Sequence, residues 1–403
     1  MVKALILKLN GWPTTFDERV EAIAESVEEL VVIRPKPPAE VDRLAQRKGV
    51  IVYDLLPSRG SFVEPGWIKP IVFPLHVVQA ILVMTYLWVR GSLPPVIHAL
   101  DYALGGIAGV VVSRLFSVPL VVSVRGLKEP RYKAIAEKSD SLRPSINYRI
   151  LRAMTSFVLV NTDHVITKAT YQVDFVKETF GVNPGFTTRP TGVDFELFDP
   201  ETTDSGDKLT ELFGDSALAG NSIALYLAKL LPEKGPDKVL ELIAAADDEL
   251  PDDVMLAFVG EFRNEAFERQ FRELQRDVSE RVVLHSKRVP FEDVPDLLAA
   301  ANAVVLLSEP ESEGVPRILQ ESCAMQTPIV ASDVTGIAGA FKDLPGCYLV
   351  DREDSTAFAD AVTSAVTDTS DMPRDRFAER FDMYSNYAAY AGIYETLANP
   401  TTE

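Results

Sequence analysis

Short runs of consecutive apolar residues alternate along this chain with longer stretches whose apolar residues recur every three or four positions. The short runs are continuously apolar, which is typical of strands buried on both faces. Their alternation with helical patterns predicts an α/β fold with parallel, doubly wound, Rossmann-like sheets covered by helices. The clearest runs are Val2–Leu9, Ile51–Tyr53, Val96–His98, Leu120–Val124, Ile223–Leu227, Met255–Val259, Ala303–Leu307 and Ile329–Ala331.

Turn-forming and acidic residues interrupt this alternation between Asp199 and Asn221. Strand and helix patterns resume after that break, and a chain of 403 residues is long enough for two domains of ordinary size. The pattern predicts an N-terminal Rossmann-like domain over residues 1–198, a second domain over 199–370, and a helical segment over 371–403.

The last segment carries four tyrosines on one face of its predicted helix: Tyr384, Tyr387, Tyr390 and Tyr394. An aromatic face of this length needs a partner surface, so we predict that the helix docks back on the N-terminal domain. A stacking platform for a sugar is the less favoured interpretation of the same stripe.

Charge and composition exclude several classes of function. The net charge of −19 argues against a nucleic-acid partner, because binding a phosphate backbone requires clustered Lys and Arg. Cys323 and Cys347 are the only cysteines and the four histidines are scattered singly, which predicts reduced thiols and no metal site. The chain opens as a strand without a charged leader, which predicts a cytoplasmic protein.

One segment, Ile71–Val89, is nearly uncharged and almost as long as a membrane-spanning helix. Two interpretations stay open. It is either a buried helix of the N-terminal domain, or a helix that meets lipid with Tyr86, Trp88 and Arg90 at its polar end. We predict peripheral contact with the cytoplasmic membrane face and no spanning of the bilayer, and the acidic net charge predicts binding that survives high salt.

The strongest chemical signal lies between Ser308 and Asp333, where a buried strand is followed by a loop and a helix. The loop carries Glu313, and Glu321 lies two turns along the predicted helix. Ligands of parallel sheets bind at the carboxyl ends of strands, and a helix start offers unpaired N–H groups to a phosphate. Taken alone, the two carboxylates are better explained as one carboxylate at a helix N-terminus and one solvated surface carboxylate.

A second signal is another strand, turn and helix, between Tyr226 and Leu240. Lys229 and Lys234 flank the turn and are candidates to meet one anionic group at the edge of the sheet. Two lysines supply mobile point charges, which suit a diphosphate leaving group. Taken alone, they too are equally consistent with solvated surface charges.

Together these stretches resemble the retaining glycosyltransferases of the GT-B fold, family 4, which carry G-R-L-x-x-x-K-G followed by E-x7-E. The first motif is similar to Ala228–Gly235 and the second to Glu313–Glu321. Further matches in order along the chain are His98–Tyr102, Pro119–Gly126, Phe180–Val182, Thr191–Pro200, Arg288–Pro290 and Leu297–Asn302. The resemblance implies two Rossmann-like domains that face each other across a cleft.

The resemblance also implies roles for individual residues. Lys229 and Lys234 would bind the donor diphosphate, Glu321 the ribose hydroxyls and Glu313 the transferred sugar. The remaining candidates for substrate binding are Val289, whose backbone would read the base, and Gly314, Val315, Pro316, Asn10, Gly11 and Asp101. The implied reaction moves a sugar from a nucleotide-diphosphate donor to a lipid-linked or glycan acceptor, with retention and without a metal or other cofactor.

The sequence departs from the family pattern at several positions. Lys229 replaces an arginine, and Gly314–Pro316 replaces G-F-G. Arg125 stands where a histidine is usual, which places a permanent cation near the implied catalytic centre, either as a substitute or as a sign of altered chemistry. Two alternatives therefore stay open: a sugar-nucleotide epimerase of the same architecture, and a nucleotide-sugar-binding protein without turnover.

Overall fold

The computed structural model describes residues 2–9, 15–35, 44–56, 69–127, 129–137, 141–203, 208–214, 218, 220–278, 280–310, 314–368 and 372–400. The chain divides into a first unit, Met1–Arg189 with Met383–Glu403, and a second unit, Pro190–Asp382. Each unit contains one parallel sheet with helices on both faces, which confirms the predicted α/β fold class.

The described residues of the first unit form a seven-stranded parallel sheet in the order β3-β2-β1-β4-β5-β6-β7. Its strands are β1 (Lys3–Leu7), β2 (Glu29–Pro35), β3 (Val50–Leu55), β4 (Ile97–Ala99), β5 (Leu120–Val124), β6 (His164–Thr167) and β7 (Gly185–Thr188). Its helices, numbered in chain order, are α1 (Thr15–Glu25), α2 (Lys69–Val89), α3 (Leu104–Phe116), α4 (Glu129–Glu137), α5 (Leu142–Val160), α6 (Thr170–Phe180) and the C-terminal α15 (Met383–Ala398). A short 3-10 turn spans Leu44–Gln46.

Alternate residues of the central strands point to opposite sides of this sheet and form two apolar cores. Leu5 and Leu7 of β1 pack with residues of α2, α3 and α5, whereas Ala4 and Ile6 pack with residues of α1 and α15. Both faces of the strands are therefore buried, as their continuous hydrophobicity predicts.

The C-terminal helix α15 returns to the first unit, as the tyrosine stripe predicts. Tyr387, Tyr390 and Tyr394 are buried against the sheet, and the Tyr394 hydroxyl lies 2.6 Å from Nδ1 of His98 in β4. The other ring nitrogen of His98 lies 2.8 Å from the Ser123 hydroxyl. Burial lowers the pKa of His98 to about 3, so the imidazole is neutral at neutral pH and bonds to both hydroxyls.

The described residues of the second unit form a six-stranded parallel sheet in the order β10-β9-β8-β11-β12-β13. Its strands are β8 (Ser222–Leu227), β9 (Val254–Val259), β10 (Val282–His285), β11 (Ala303–Leu306), β12 (Ile329–Ser332) and β13 (Cys347–Val350). Its helices are α7 (Lys208–Phe213), α8 (Pro236–Ala245), α9 (Glu265–Asp277), α10 (Val294–Ala299), α11 (Arg317–Ala324), α12 (Thr335–Phe341), α13 (Ser355–Thr367) and α14 (Arg374–Phe381). Short 3-10 turns span Pro232–Lys234, Asp247–Glu249 and Phe291–Asp293.

The second unit begins at residue 190, and the chain returns to the first unit at residue 383. The sequence pattern placed these boundaries at 199 and 371. The difference at the first boundary has a local cause. Val193 bridges to Asp382, and the Arg374 guanidinium donates to the carbonyls of Phe195 and Phe198. This stretch, which lacks a strand or helix pattern, is therefore bonded to α14 of the second unit.

Helix α2 spans Lys69–Val89 and contains the apolar segment identified from the sequence. By length and composition it is the one helix among the described residues that could cross a membrane, yet only 22% of the Val72–Val89 window is buried. The Gln79 side chain anchors the helix to the end of β3, since it accepts from the Leu56 amide at 2.9 Å and donates to its carbonyl. The helix is thus attached along one side and is not buried all round.

Candidate functional site

Both chemical signals of the sequence lie at the same edge of the second sheet. Strands β8 and β11 are neighbours, and the strand order runs outward from this pair in both directions. Such a reversal creates a crevice at the carboxyl ends of the two strands, where α/β proteins bind their ligands. The loop after β8 carries Lys229 and Lys234, and the loop after β11 leads to α11 and Glu321.

The two loops touch through a glycine turn. Gly235 has a φ of +66°, and a Cβ at this position would lie 1.9 Å from the Leu307 carbonyl oxygen. The amide of Glu309 donates to the carbonyl of Glu233 at 3.0 Å, which ties the loops together a second time. Only glycine combines this backbone conformation with so close an approach. The glycine of the K-G pair is therefore required for the two loops to pack together.

A buried tyrosine of β8 also holds this turn. The Tyr226 side chain is fully buried in β8, and its hydroxyl donates to the Lys234 carbonyl at 3.2 Å. Its ring stacks on Phe258 of β9 with centroids 5.1 Å apart. The backbone of Lys234 is therefore fixed by the core.

The two lysines differ in environment. Lys229 is exposed, whereas Lys234 is half-buried. Burial lowers the pKa of the Lys234 ammonium to about 8, with Glu233 opposing this shift and Lys229 adding to it. An ammonium in this position gains more from a bound anion than an exposed one, because little solvent screens the interaction.

Helix α11 starts at Arg317, directly after Gly314, Val315 and Pro316. Val315 and Pro316 are buried and Gly314 is half-buried. The residues just before α11 are therefore packed inside the second unit. Glu313, the predicted contact of the transferred sugar, lies outside the described residues. Val289, the predicted base reader, is half-buried in the loop between β10 and the 3-10 turn at Phe291–Asp293.

Glu321 is buried on α11, with only 7% of its side chain exposed, and forms an ion pair with Arg317 at 3.0 Å. The Arg317 guanidinium lies over the ring of Phe291, 5.2 Å from its centroid. These contacts connect the predicted ribose contact to the segment that follows the predicted base reader. Neither Arg317 nor Phe291 stood out in the sequence, because each contact depends on how α11 packs.

A further residue missed by the sequence is Gln320, which is fully buried on α11. Its amide donates to the carbonyls of Val315 and Pro316 and accepts from the Gly192 amide at 3.1 Å. Gln320 thus joins the start of α11 to the T-G-V-D motif of the linker. The sequence did not single out Gln320, because its burial depends on how α11 packs in the folded unit.

In the first unit the predicted site residues lie near the ends of β4 and β5. Asp101 accepts from the amides of Ala103 and Gly105, both at 3.1 Å, and so caps the start of α3. Arg125 is half-buried directly after β5. Asn10 and Gly11 lie outside the described residues. The Asp101 geometry is structural, and a substrate contact for it stays a prediction.

The loop that carries Arg125 is braced by a buried network. The Tyr102 hydroxyl lies 3.0 Å from the carbonyl of Gly126 and 3.1 Å from a carboxylate oxygen of Glu129. The Thr155 hydroxyl donates to the second oxygen of Glu129 at 2.6 Å. The backbone next to Arg125 is therefore held by Tyr102, whose hydroxyl also bonds to Glu129 at the start of α4. A catalytic role for Arg125 stays a prediction.

Within the described residues, no group of three or more His, Cys, Asp or Glu side chains is arranged to hold a metal ion. Cys323 and Cys347 are both free thiols with their sulfurs 3.9 Å apart, and burial raises the pKa of Cys323. In the second unit the structure joins the turn that carries Lys234 to the loop after β11, through the contacts of Gly235 with Leu307 and of Glu233 with Glu309. A ligand shared by Lys229, Lys234 and the start of α11 stays a prediction.

Several solved structures share the fold of this chain over nearly its whole length. Sucrose-phosphate synthase of Thermosynechococcus elongatus aligns with a TM-score of 0.74 at 18% identity, covering 98% of both chains. HepE of Anabaena, solved in complex with UDP, aligns with a TM-score of 0.71 at 18% identity, covering 98% of this chain and all of the other. At this identity the likeness defines the fold class, which is GT-B.

Sequence comparison then identifies the family. Residues 10–189 match the glycosyl transferase 4-like domain and residues 210–382 match the glycosyl transferases group 1. The chain belongs to the group 1 glycosyltransferases of the family 4 type. It is 27% identical to D-inositol 3-phosphate glycosyltransferase 1 of Catenulispora acidiphila over 282 residues, 68% of this chain and 64% of the relative. The chain therefore matches less than two-thirds of that relative's length.

The glycine turn generates a first prediction. Gly235→Ala should destabilise the protein by more than the roughly 1–2 kcal/mol of a left-handed alanine and should weaken nucleotide binding, because the added Cβ collides with a carbonyl. Gly181→Ala is the matched control, since Gly181 also has a φ of +66° and nothing lies within 4 Å of its Cβ position. Urea unfolding and calorimetry measure both effects, and equal losses of stability in the two variants would refute the packing argument.

Proposed function

We propose that this protein transfers a sugar from a nucleotide-diphosphate donor to an acceptor, with the donor bound in the second unit. The observation that carries the proposal is the contact between the lysine-bearing turn after β8 and the loop that leads from β11 to α11. Both loops follow the carboxyl ends of neighbouring strands, which supports a donor site there with Lys229, Lys234 and the start of α11 as its anion-binding groups. Group 1 family membership supports the same assignment.

The reaction breaks the bond between the anomeric carbon of the sugar and the terminal phosphate oxygen of the donor. The acceptor hydroxyl forms the new bond and loses its proton, while the nucleoside diphosphate leaves with increased negative charge. Lys229 and Lys234 would stabilise this charge, together with the N–H groups at the start of α11. Interactions that strengthen as charge develops raise the rate of the chemical step.

The remaining roles follow the family pattern as proposals. Glu321 would accept hydrogen bonds from the ribose hydroxyls, the backbone at Val289 would contact the base, and Glu313 would contact the transferred sugar. The complexes of HepE with UDP and with UDP-glucose make a uridine nucleotide the first donor to test. Retention of configuration and independence of metal are part of the proposal.

Transfer is tested by incubating the full chain with radiolabelled UDP-, GDP- and ADP-sugars and a membrane lipid extract. We expect label to move into the extract, and Lys234→Ala to lower turnover more than donor affinity. Conversion of the donor to an epimer without transfer would instead identify an epimerase. Donor binding without either product would identify a binding protein and overturn the proposal.

The pKa of Lys234 predicts how donor affinity depends on pH. The cation is present below pH 8 and is lost above it, so affinity for a nucleoside diphosphate should fall by about eightfold between pH 7.5 and 9. Lys234→Arg keeps its charge over this range and should flatten the profile. Calorimetric titrations at the two pH values measure the effect. A wild-type affinity that does not change would exclude Lys234 as the titrating diphosphate ligand.

A surface of the first unit supports a membrane-bound acceptor. Helices α2 and α5 both pack on α3, and all three present apolar side chains to solvent. The exposed side chains are Leu75, Val78, Leu82, Tyr86, Trp88 and Val89 on α2, Leu115 on α3, and Leu142, Ile146, Ile150, Phe157 and Val160 on α5. Extended apolar surfaces of this kind mark interaction sites.

The charge of this surface differs from that of the whole protein. Residues 69–90, 104–116 and 142–160 contain no Asp or Glu, although the net charge is −19. Among the side chains that the structure describes in these ranges, the exposed cations are Arg90, Arg114, Arg143, Arg149 and Arg152. Arginines around apolar side chains suit an anionic lipid surface, so local charge modifies the expectation drawn from net charge.

We therefore propose a lipid-linked acceptor, with the exposed face of α2 resting in the lipid headgroups. The relative from Catenulispora is named for a phosphorylated inositol acceptor, but the apolar surface here favours an acceptor held at a membrane. The anchoring of Gln79 to Leu56 supports peripheral contact rather than spanning, since it attaches α2 to the sheet.

Liposome flotation tests the membrane proposal. The protein should float with vesicles of phosphatidylglycerol and phosphatidylcholine, and binding should weaken but persist in 1 M salt, because the apolar contact is not screened. Replacing Leu82 and Trp88 by Gln should abolish flotation. Leu197→Gln is the control, because it changes an exposed leucine of the second unit. Wild-type protein that stays in the soluble fraction would overturn this proposal without affecting the donor site.

A further inference from the structure

Arg317 and Glu321 form an ion pair on α11 in the order of charges that stabilises a helix least. On α11 the arginine lies in the first turn and the glutamate four residues later. A cation in the first turn faces the positive end of the helix dipole, and this order of charges is the weaker one for an isolated helix. Local helix stability therefore accounts for this pair less well than for a pair in the opposite order.

A second ion pair in the same unit has its charges in the opposite order, with the carboxylate before the arginine. On α9, Glu268 precedes Arg272 by four residues, their ion pair is 2.7 Å long, and Arg272 lies 5.9 Å from the ring centroid of Phe262. Both pairs thus combine an arginine, a carboxylate one turn away and a phenylalanine ring. The α9 pair has the order that the helix dipole favours, and the α11 pair does not.

The surroundings of Arg317 show what its position achieves. Its guanidinium is held between the Glu321 carboxylate at 3.0 Å and the Phe291 ring at 5.2 Å. That ring packs in turn on the fully buried Phe198, with centroids 5.8 Å apart. The Nε of Arg317 is buried without a hydrogen-bond partner among the described residues. A guanidinium held between a ring and a carboxylate in this way restricts the rotation of that carboxylate, through the contact of one of its nitrogens with one Glu321 oxygen.

We propose that Arg317 is a positioning residue that orients the Glu321 carboxylate toward the ribose, and so makes the donor site selective for ribonucleotides over 2′-deoxyribonucleotides. The inference rests on the proposed function, because it assumes a nucleoside diphosphate at the start of α11. A fixed carboxylate accepts from both ribose hydroxyls at once, and a nucleotide lacking one of them leaves a buried acceptor unpaired. A carboxylate free to rotate loses this discrimination.

The test measures binding of UDP, GDP and ADP to the full chain by calorimetry, followed by the 2′-deoxy form of the tightest ligand. The wild type should prefer the ribonucleotide by about tenfold or more, as expected for one charge-assisted hydrogen bond. Arg317→Met should reduce this preference to below about threefold. Arg317→Lys keeps the charge but loses the planar guanidinium that packs on Phe291, so its preference should fall between the two.

Arg272→Met is the matched control, since it removes the same type of contact from α9 and should leave the preference unchanged. A double-mutant cycle of Arg317→Met with Glu321→Gln should be non-additive in the ribose preference, because both changes remove one interaction. Thermal unfolding checks that each variant is folded, and Arg317→Lys provides the test if Arg317→Met is not.

The outcomes distinguish a failure of the donor proposal from a failure of the role proposed for Arg317. A wild type that binds none of the three nucleotides at millimolar concentration would refute the donor proposal. A wild type that binds and prefers the ribonucleotide, with Arg317→Met or Arg317→Lys retaining the full preference, would overturn the role of Arg317 alone. Reduced preference in both Arg317 variants, with Arg272→Met unchanged, would support the proposed role of Arg317.

Discussion

The approach of Gly235 to the carbonyl of Leu307 is the constraint on which the candidate donor site depends. It brings the turn after β8 against the end of β11, the two strands at which the sheet reverses its order. Because any side chain at this position would collide with the Leu307 carbonyl, the turn that carries Lys234 could not pack against the loop after β11. The glycine of the motif is thus required by sterics before any chemistry takes place.

Around this contact, buried polar side chains fix parts of the chain that have no regular structure. Gln320 holds Gly192 and the entry to α11, and Arg374 holds Phe195 and Phe198. Such bonds are strong determinants of position, because an unpaired polar group in the protein interior is costly. The linker between the sheets is therefore an ordered part of the second unit.

The first unit shows how a local distribution of charge can differ from the total. The protein carries a net charge of −19, yet the helices α2, α3 and α5 contribute exposed apolar side chains and arginines without a carboxylate. Electrostatic attraction acts over roughly a Debye length, about 8–10 Å in physiological salt, so an approaching lipid surface meets this local distribution. Net charge alone is a poor guide to the partners of such a face.

The sequence by itself determined the α/β class, most strands, the docking of the tyrosine-rich helix and the two loops that carry the candidate chemistry. These features depend on periodicity and on residues within a few positions of each other, which a linear pattern records. Only the tertiary structure decided the unit boundary at residue 190, the exposed face of α2, and the contacts of Arg317 and Gln320. The amide of Gly192 meets Gln320 across 128 residues of chain, and Arg374 reaches Phe195 across 179. Contacts at such separations depend on how the folded elements pack, because no short-range pattern encodes them.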